Sequence, residues 1–320
     1  MPSQSTLIFS RNWSHDGAEV SFVTRSVAGA ATRFGDVTIV IPGPSGMEVA
    51  DGAFDLIAIG GHETAWPAPD EAHVVETFAS CTTVVVDELD DTVRLLLDRF
   101  DLMTQALHVV SPNGQVRRGS TLPFLPDPLG HAGSLGLHVP VNPLAAAHRH
   151  NGLGFTGYLL VLTDRPGTPP IAPPPDLAAW ITAALHDQNV VVVEGGSAAV
   201  WQGRALRGIV PVETRTDLWR LLAHARVTID LSPGPIVGRE CIESLRFGTP
   251  IVVPGSSRAS AHAALGAGLS FSSVSELISC LDQLRDDSFL AELQEEASRY
   301  SETWYGDPDR FVANLKSALA

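Results

Sequence analysis

Long apolar runs, basic residues, cysteines and charge in general are all scarce in this chain, and each scarcity removes a class of protein. No apolar run reaches the length that spans a bilayer. Met1–Ser10 lacks the basic start and long apolar stretch of a secretory signal. Three cysteines (Cys81, Cys241 and Cys280) lie far apart without metal-ligand spacing, which suits a reducing compartment and gives no disulfide framework. Lys and Arg number 21 against 36 Asp and Glu, a net charge of −15. That balance argues against nucleic acid as a partner, since phosphate backbones need a basic face. A nucleotide-sized ligand is still allowed, because it needs only a few local donors. Charged residues make up 18% of the 320 positions and apolar ones 44%, so a large core is feasible and disorder is not expected. The expectation is a soluble, acidic, cytoplasmic chain of two domains, each of about 150 residues.

What is present is an alternation of short Val/Ile-rich runs with helical stretches, the signature of α/β architecture with parallel sheets. Strands are expected at Thr6–Ser10, Val37–Ile41, Asp55–Ile59, Thr82–Val86, His108–Ser111 and Leu137–Val139. A second set falls at Gly157–Leu162, Val190–Glu194, Gly208–Val212, Val227–Leu231 and Ile251–Val253. Helices are expected at Ala18–Phe34, around Glu71–Ser80, and at Thr92–Leu102, Pro175–His186, Thr216–Ala225, Glu240–Phe247 and Ser273–Asp286. The runs lack polar alternation, as strands do when helices cover both sheet faces. Pro140-Val141-Asn142-Pro143 and the Ala/His/Gly-rich stretch after it mark a boundary within residues 142–157. The domains are therefore expected at 1–150 and 151–303. A last segment, Trp304–Leu319, carries helical spacing at Phe311, Leu315 and Leu319.

The densest signals lie in Ala225–Pro254. A buried strand is followed by a Gly/Pro loop, a helix carrying Glu240 and Glu243, a turn at Gly248-Thr249-Pro250 and a second buried strand. Gly238 lets backbone approach a ligand, and the helix behind it offers unpaired N–H groups to an anion. A carboxylate on that helix can accept two hydroxyls of a ribose or hexose. Glu243 is the candidate, and Glu240 an alternative one turn earlier. This layout resembles the donor-sugar site of the GT-B glycosyltransferases, the large retaining class that uses nucleotide sugars. There the segment runs Pro-Ser, two residues, Glu-Gly-Phe-Gly, a few apolar residues, Glu-Ala and Gly-Thr-Pro-Val-Val. Here Ser232, Gly238, Glu243 and Gly248-Thr249-Pro250 match, while Pro235 replaces the first glutamate.

The resemblance implies two Rossmann-like doubly wound domains facing a cleft, with the 304–320 helix crossing back onto the first domain. It implies that Glu243 holds the donor ribose, that Arg165 neutralises the diphosphate, and that Gly17 and Gly238 supply backbone donors. The family's lysine about five residues after that arginine is replaced by Pro169-Pro170; Arg258 is the candidate substitute. Gly17-Ala18-Glu19 resembles half of the family's Gly-Gly-x-Glu loop, and an ordinary turn with Asp16 as helix cap is the other reading. His62, at the end of a strand, is read either as orienting sugar or acceptor or as a solvated loop histidine. Asp87 and Glu88 stand where the family often has a histidine. His148 and His150 lack a third ligand, so no metal is expected there. Helix N-termini and arginine take the place of a metal, and no cofactor is implied beyond the nucleotide-sugar substrate.

Three functions follow in order. The first is a glycosyltransferase moving a sugar from a nucleotide donor to a hydroxyl acceptor with retention. Pro235 and the missing lysine motivate the second, a GT-B-shaped chain without turnover that serves as a binding or partner subunit. The third is another sugar-nucleotide enzyme of this architecture, such as an epimerase.

Overall fold

Apolar runs such as Thr83–Val86 and Tyr158–Leu162 bury both faces as strands, and the chain gathers its strands into two sheets. The computed structural model describes residues 4–10, 26–42, 55–59, 78–86, 97, 106–109, 120–121, 138–143, 153, 155–163, 188–194, 196–202, 205–231, 239–257 and 259–319. It divides into one unit of Met1–Leu137 with Pro308–Ala320 and a second of His138–Asp307.

The first unit holds β1 (Gln4–Phe9), β2 (Gly35–Pro42), β3 (Asp55–Ile59), β4 (Thr83–Val86), β5 (Ala106–Val109) and β6 (Ser120–Thr121). Their order is β3-β2-β1-β4-β5-β6, and every pairing is parallel. The order reverses between β1 and β4, so this is a doubly wound sheet with its switch point there. Leu7, Ile8, Ile39, Val40 and Val84–Val86 are buried, and Phe9 meets Phe78 edge-on at 5.7 Å between ring centres. Helical backbone at 26–31 buries Val27, Ala28 and Ala31. The chain's final helix, Pro308–Ala318, belongs to this unit and buries Phe311 and Leu315. Its Asp309 accepts from Arg33 at 2.7 Å, and Lys316 lies 6.0 Å above the Phe34 ring.

In the second unit the strands are β7 (Tyr158–Leu162), β8 (Asn189–Glu194), β9 (Ser197–Gln202), β10 (Ala205–Pro211), β11 (Ala225–Asp230), β12 (Ile251–Pro254) and β13 (Gly268–Phe271). Their order is β10-β9-β8-β7-β11-β12-β13, antiparallel only where β9 meets its neighbours. The switch point falls between β7 and β11. Four of its helices are α1 (Arg215–His224), α2 (Arg239–Arg246), α3 (Val274–Gln283) and α4 (Asp287–Ser301). One face of the sheet packs Leu159, Val161, Val190 and Ile229 against Leu277, Leu281, Leu290 and Leu293 of α3 and α4. The other packs Tyr158, Leu160, Leu162 and Val191 against Leu218, Leu221 and Leu222 of α1.

Several elements differ from the sequence expectation. Of the expected Leu137–Val139 strand, the described residues His138 and Val139 are irregular, and the Val139 N–H donates to the Tyr305 carbonyl at 3.1 Å. Strands β6, β9 and β13 and helix α4 are additional. The expected Trp304–Leu319 helix is broken: a π-helical turn, Glu302–Gly306, precedes extended Asp307 and the Pro308–Ala318 helix. The division into units falls between Leu137 and His138 rather than near 150. Strand β13 starts at a glycine for a steric reason. A Cβ at Gly268 would collide with the Ile251 carbonyl oxygen of the neighbouring strand.

Candidate functional site

Ligands of doubly wound sheets collect at the carboxyl ends of the strands, beside the switch point. Among the helices of the second unit that begin at that edge are α1 and α2. α1 follows β10 and α2 follows β11, so both present N-terminal N–H groups and positive dipole ends there. α1 starts sharply because Thr214 caps it. The Thr214 hydroxyl accepts from the Asp217 N–H at 3.2 Å, and Asp217 Oδ2 accepts from the Thr214 N–H at 3.0 Å, a reciprocal capping box. The Thr214 hydroxyl also donates to Asp217 Oδ2 at 2.7 Å, and this bond holds the Asp217 carboxyl below its ordinary pKa. α2 ends equally sharply. The Gly248 N–H donates to the Leu245 carbonyl at 3.0 Å and the Thr249 N–H to that of Ser244 at 2.9 Å, with Gly248 at φ +75°.

These two helix starts bring together four charged side chains. Arg215, the first residue of α1, donates from Nε to Glu243 Oε1 at 3.0 Å, and its Nη2 is ion-paired with Oε2 at 2.5 Å without a hydrogen bond between them. Its Nη1 donates to Glu240 Oε1 at 2.7 Å. Arg239, the first residue of α2, donates from Nε to Glu243 Oε1 at 2.8 Å. Burial works against the Arg215 charge, yet the carboxylates of Glu240 and Glu243 outweigh it and raise its pKa. Arg239 is shifted down, chiefly by burial, with Glu243 opposing. The accessible parts of the cluster are the cations: Arg215 and Arg239 side chains are 28% and 20% exposed, Glu240 11% and Glu243 0%.

The structure thus brings Glu240 and Glu243 together as expected from their spacing on one helix. It adds a feature the sequence reading lacked, since Glu243 is sealed beneath two guanidiniums. A hydroxyl can reach its oxygens only if Arg215 withdraws. Gly17, His62, Arg165, Gly238 and Arg258 lie outside the described residues, as do Asp87 and Glu88. Arg239 was legible as the partner four residues before Glu243. Arg215, 28 residues upstream of Glu243, carries no local signal and is joined to it only by the packing of α1 on α2.

Polar bonds behind the cluster fix α2 to the sheet. Cys241 Sγ lies 3.0 Å from Asp230 Oδ2 at the end of β11. Ser244 Oγ lies 2.8 Å from Thr228 Oγ1 and donates to the Thr249 carbonyl at 2.9 Å. Thr249 Oγ1 in turn donates to the Leu222 carbonyl of α1 at 2.9 Å. A second polar cluster sits after β12. His262, 1% exposed, has its Nδ1 at 2.5 Å from Tyr300 Oη and 3.4 Å from Tyr305 Oη. Burial lowers its pKa to about 4 and raises those of both tyrosines. Among the described residues no group of three or more His, Cys, Asp or Glu is placed to hold a metal ion. None of the helices among them is long and apolar enough to cross a membrane.

No protein-family model matches the sequence, and no curated protein does. Solved structures do match along nearly the whole chain. HepE of Anabaena, solved with UDP, is 12% identical over 99% of both chains with a TM-score of 0.67. The sucrose-phosphate synthase of Thermosynechococcus elongatus is 12% identical over 98% of both chains, with a TM-score of 0.58. A protein described as a UDP-N-acetylglucosamine 2-epimerase from Listeria monocytogenes is 11% identical, covering 98% of this chain and 94% of its own, with a TM-score of 0.52. Two doubly wound α/β units, and this likeness along their whole length, give the chain the GT-B glycosyltransferase fold.

Proposed function

We propose that this chain is a glycosyltransferase, moving a sugar from a nucleotide-sugar donor to a hydroxyl acceptor with retention of configuration. The observation that carries this reading is the arginine–glutamate cluster at the heads of α1 and α2. It lies at the carboxyl edge of the second unit's sheet, where a Rossmann-like unit takes its ligand. HepE, whose fold is similar, has been solved with UDP-glucose, a nucleotide sugar.

In this reading the donor nucleotide lies against the second unit. Glu240, the more accessible carboxylate, receives ribose hydroxyls, and Glu243 holds the cluster from behind. Arg165 neutralises the diphosphate, with Arg258 in support, while Gly17 and Gly238 lend backbone N–H groups. The bond between the anomeric carbon and the diphosphate oxygen breaks as the acceptor oxygen bonds to the same face. The acceptor proton passes to the departing phosphate. His62 orients the acceptor or sugar. Positioned cations stabilise the charge that grows on the leaving diphosphate, and one lost donor of this kind costs about 3–4 kcal/mol.

Incubation with UDP, GDP and dTDP sugars, following nucleoside diphosphate release and the anomeric configuration of the product by NMR, tests the reading. Release with a retained anomer supports it, and an inverted anomer or no release contradicts it. The sealed state of Glu243, together with Pro235, favours one second reading: a binding or partner subunit without turnover. Copurification with another chain and no release from any donor would support that subunit role.

A further inference from the structure

Two guanidiniums share one buried carboxylate at the heads of α1 and α2, which is one more than that carboxylate needs. Glu243 is 0% exposed, so it requires an ionic partner in place. Arg239, one turn before it on the same helix, supplies one, with Nε 2.8 Å from Oε1. Arg215 approaches from the other helix and is held less well. Its Nε donates to Glu243 Oε1, but Nη2 and Oε2 make no hydrogen bond although both are buried. A buried donor and acceptor in that condition have lost water and gained no bond. The third nitrogen, Nη1, lies on Glu240 Oε1 at 2.7 Å. Arg215 is also the most exposed of the four side chains, at 28%.

We propose that Arg215 is an autoinhibitory latch: it occupies the Glu240 oxygen that the donor's ribose hydroxyls use, and the nucleotide binds only when it swings off. This rests on the reading that Glu240 receives those hydroxyls. The cluster then has two arrangements. In the shut one, seen here, Arg215 spans Glu243 and Glu240. In the open one Arg239 alone neutralises Glu243, so no buried charge is stranded. A ribose hydroxyl donates to the Glu240 oxygen that Nη1 leaves. Arg215 can make the move because it is the first residue of α1, beside exposed Glu213 and Thr214. Its long side chain can carry the charged head out to water. A ligand whose site is open in only a fraction of molecules binds more weakly by that fraction.

Calorimetric titration of the full chain with UDP, GDP and ADP, each beside its 2′,3′-dideoxy form, tests the latch. The dideoxy forms have no ribose hydroxyl for Glu240. The ratio of the two affinities therefore reads the latch and cancels the loss of a positive charge. A latch shut in about nine molecules of ten predicts that Arg215→Ala raises this ratio, in favour of the hydroxyl-bearing form, about tenfold. Arg215→Lys keeps a cation but cannot bridge both carboxylates, and it should raise the ratio by a smaller factor. If the alanine variant does not fold, the lysine variant decides. An unaltered chain that binds no nucleotide, beside a variant that binds a hydroxyl-bearing one, also supports the latch. If nucleotides bind and the ratio is unchanged or falls in the variants that fold, the latch is overturned and the transferase reading stands. If neither the unaltered chain nor a folded variant binds any nucleotide, both fall together.

Discussion

The arginine–glutamate cluster at the heads of α1 and α2 and the His262–Tyr300–Tyr305 cluster after β12 are both enclosed by the second unit, yet they are made of different chemistry. The first holds four formal charges in balance, with guanidiniums reaching the surface. In the second the groups are neutral, since burial keeps His262 unprotonated down to about pH 4 and the tyrosines protonated. The first lies where strands end and helices begin. The second lies between the helical turn Ser260–His262, the end of α4 and the π-helical turn Glu302–Gly306. Charge kept at a sheet's carboxyl edge has a use in meeting a ligand. Neutral polar groups locked between helices have a use in fixing how those helices pack.

The largest effect that separates the two comes from Glu243→Ala. It leaves two part-buried guanidiniums without their shared carboxylate, and breaking a buried pair of this kind costs about 3–5 kcal/mol. Denaturant unfolding of the variant checks it, and a loss under 1 kcal/mol would mean that the cluster is looser than its geometry. Next is the pH response of the neutral cluster. The native His262 pKa of about 4 lies below the ordinary 6.5, so the unfolded chain takes the proton first as pH falls. The stabilising contribution is therefore complete above pH 6.5 and is lost progressively towards pH 4, reaching roughly 3 kcal/mol. His262→Gln should flatten that part of the stability–pH curve, and an unchanged slope would place the titration elsewhere.

Smaller effects probe the strut between the clusters. Gly248 ends α2 in the left-handed region, and a Cβ there would lie 2.6 Å from Ser298 Oγ of α4. Gly248→Ala should cost about 1–2 kcal/mol in the same unfolding measurement. Arg246 also ties α2 to Glu302, but that carboxylate is 71% exposed. Glu302→Gln should then change stability by less than about 1 kcal/mol, and a larger change would make this exposed pair a real link.

Most of the architecture was legible because apolar runs such as Thr83–Val86 and Tyr158–Leu162 are buried at every position. The missed pieces have physical causes. Ser197–Gln202 follows a Gly-Gly pair whose Gly196, at φ +83°, begins a hairpin, and its run of small residues becomes a strand only by pairing with β8. β13 is four residues long and begins with Gly268, so it carries almost no apolar pattern. α4 does carry the pattern, in Leu290, Leu293, Ala297 and Tyr300. Of the site, Glu240 and Glu243 were visible through their spacing on α2. Arg215 was not, because its link to them exists only once α1 packs beside α2. The environment of Glu243 could not be read at all, since helix spacing fixes a face and says nothing of what covers it.

Hydrogen exchange of the full chain, with and without saturating nucleotide sugar, tests the central assignment most directly. Slowed exchange is expected in the first turns of α1 and α2, with little change at Tyr300–Tyr305. Protection confined to the His262 cluster, or none anywhere for a donor shown to bind, would contradict placing the nucleotide at the heads of these two helices.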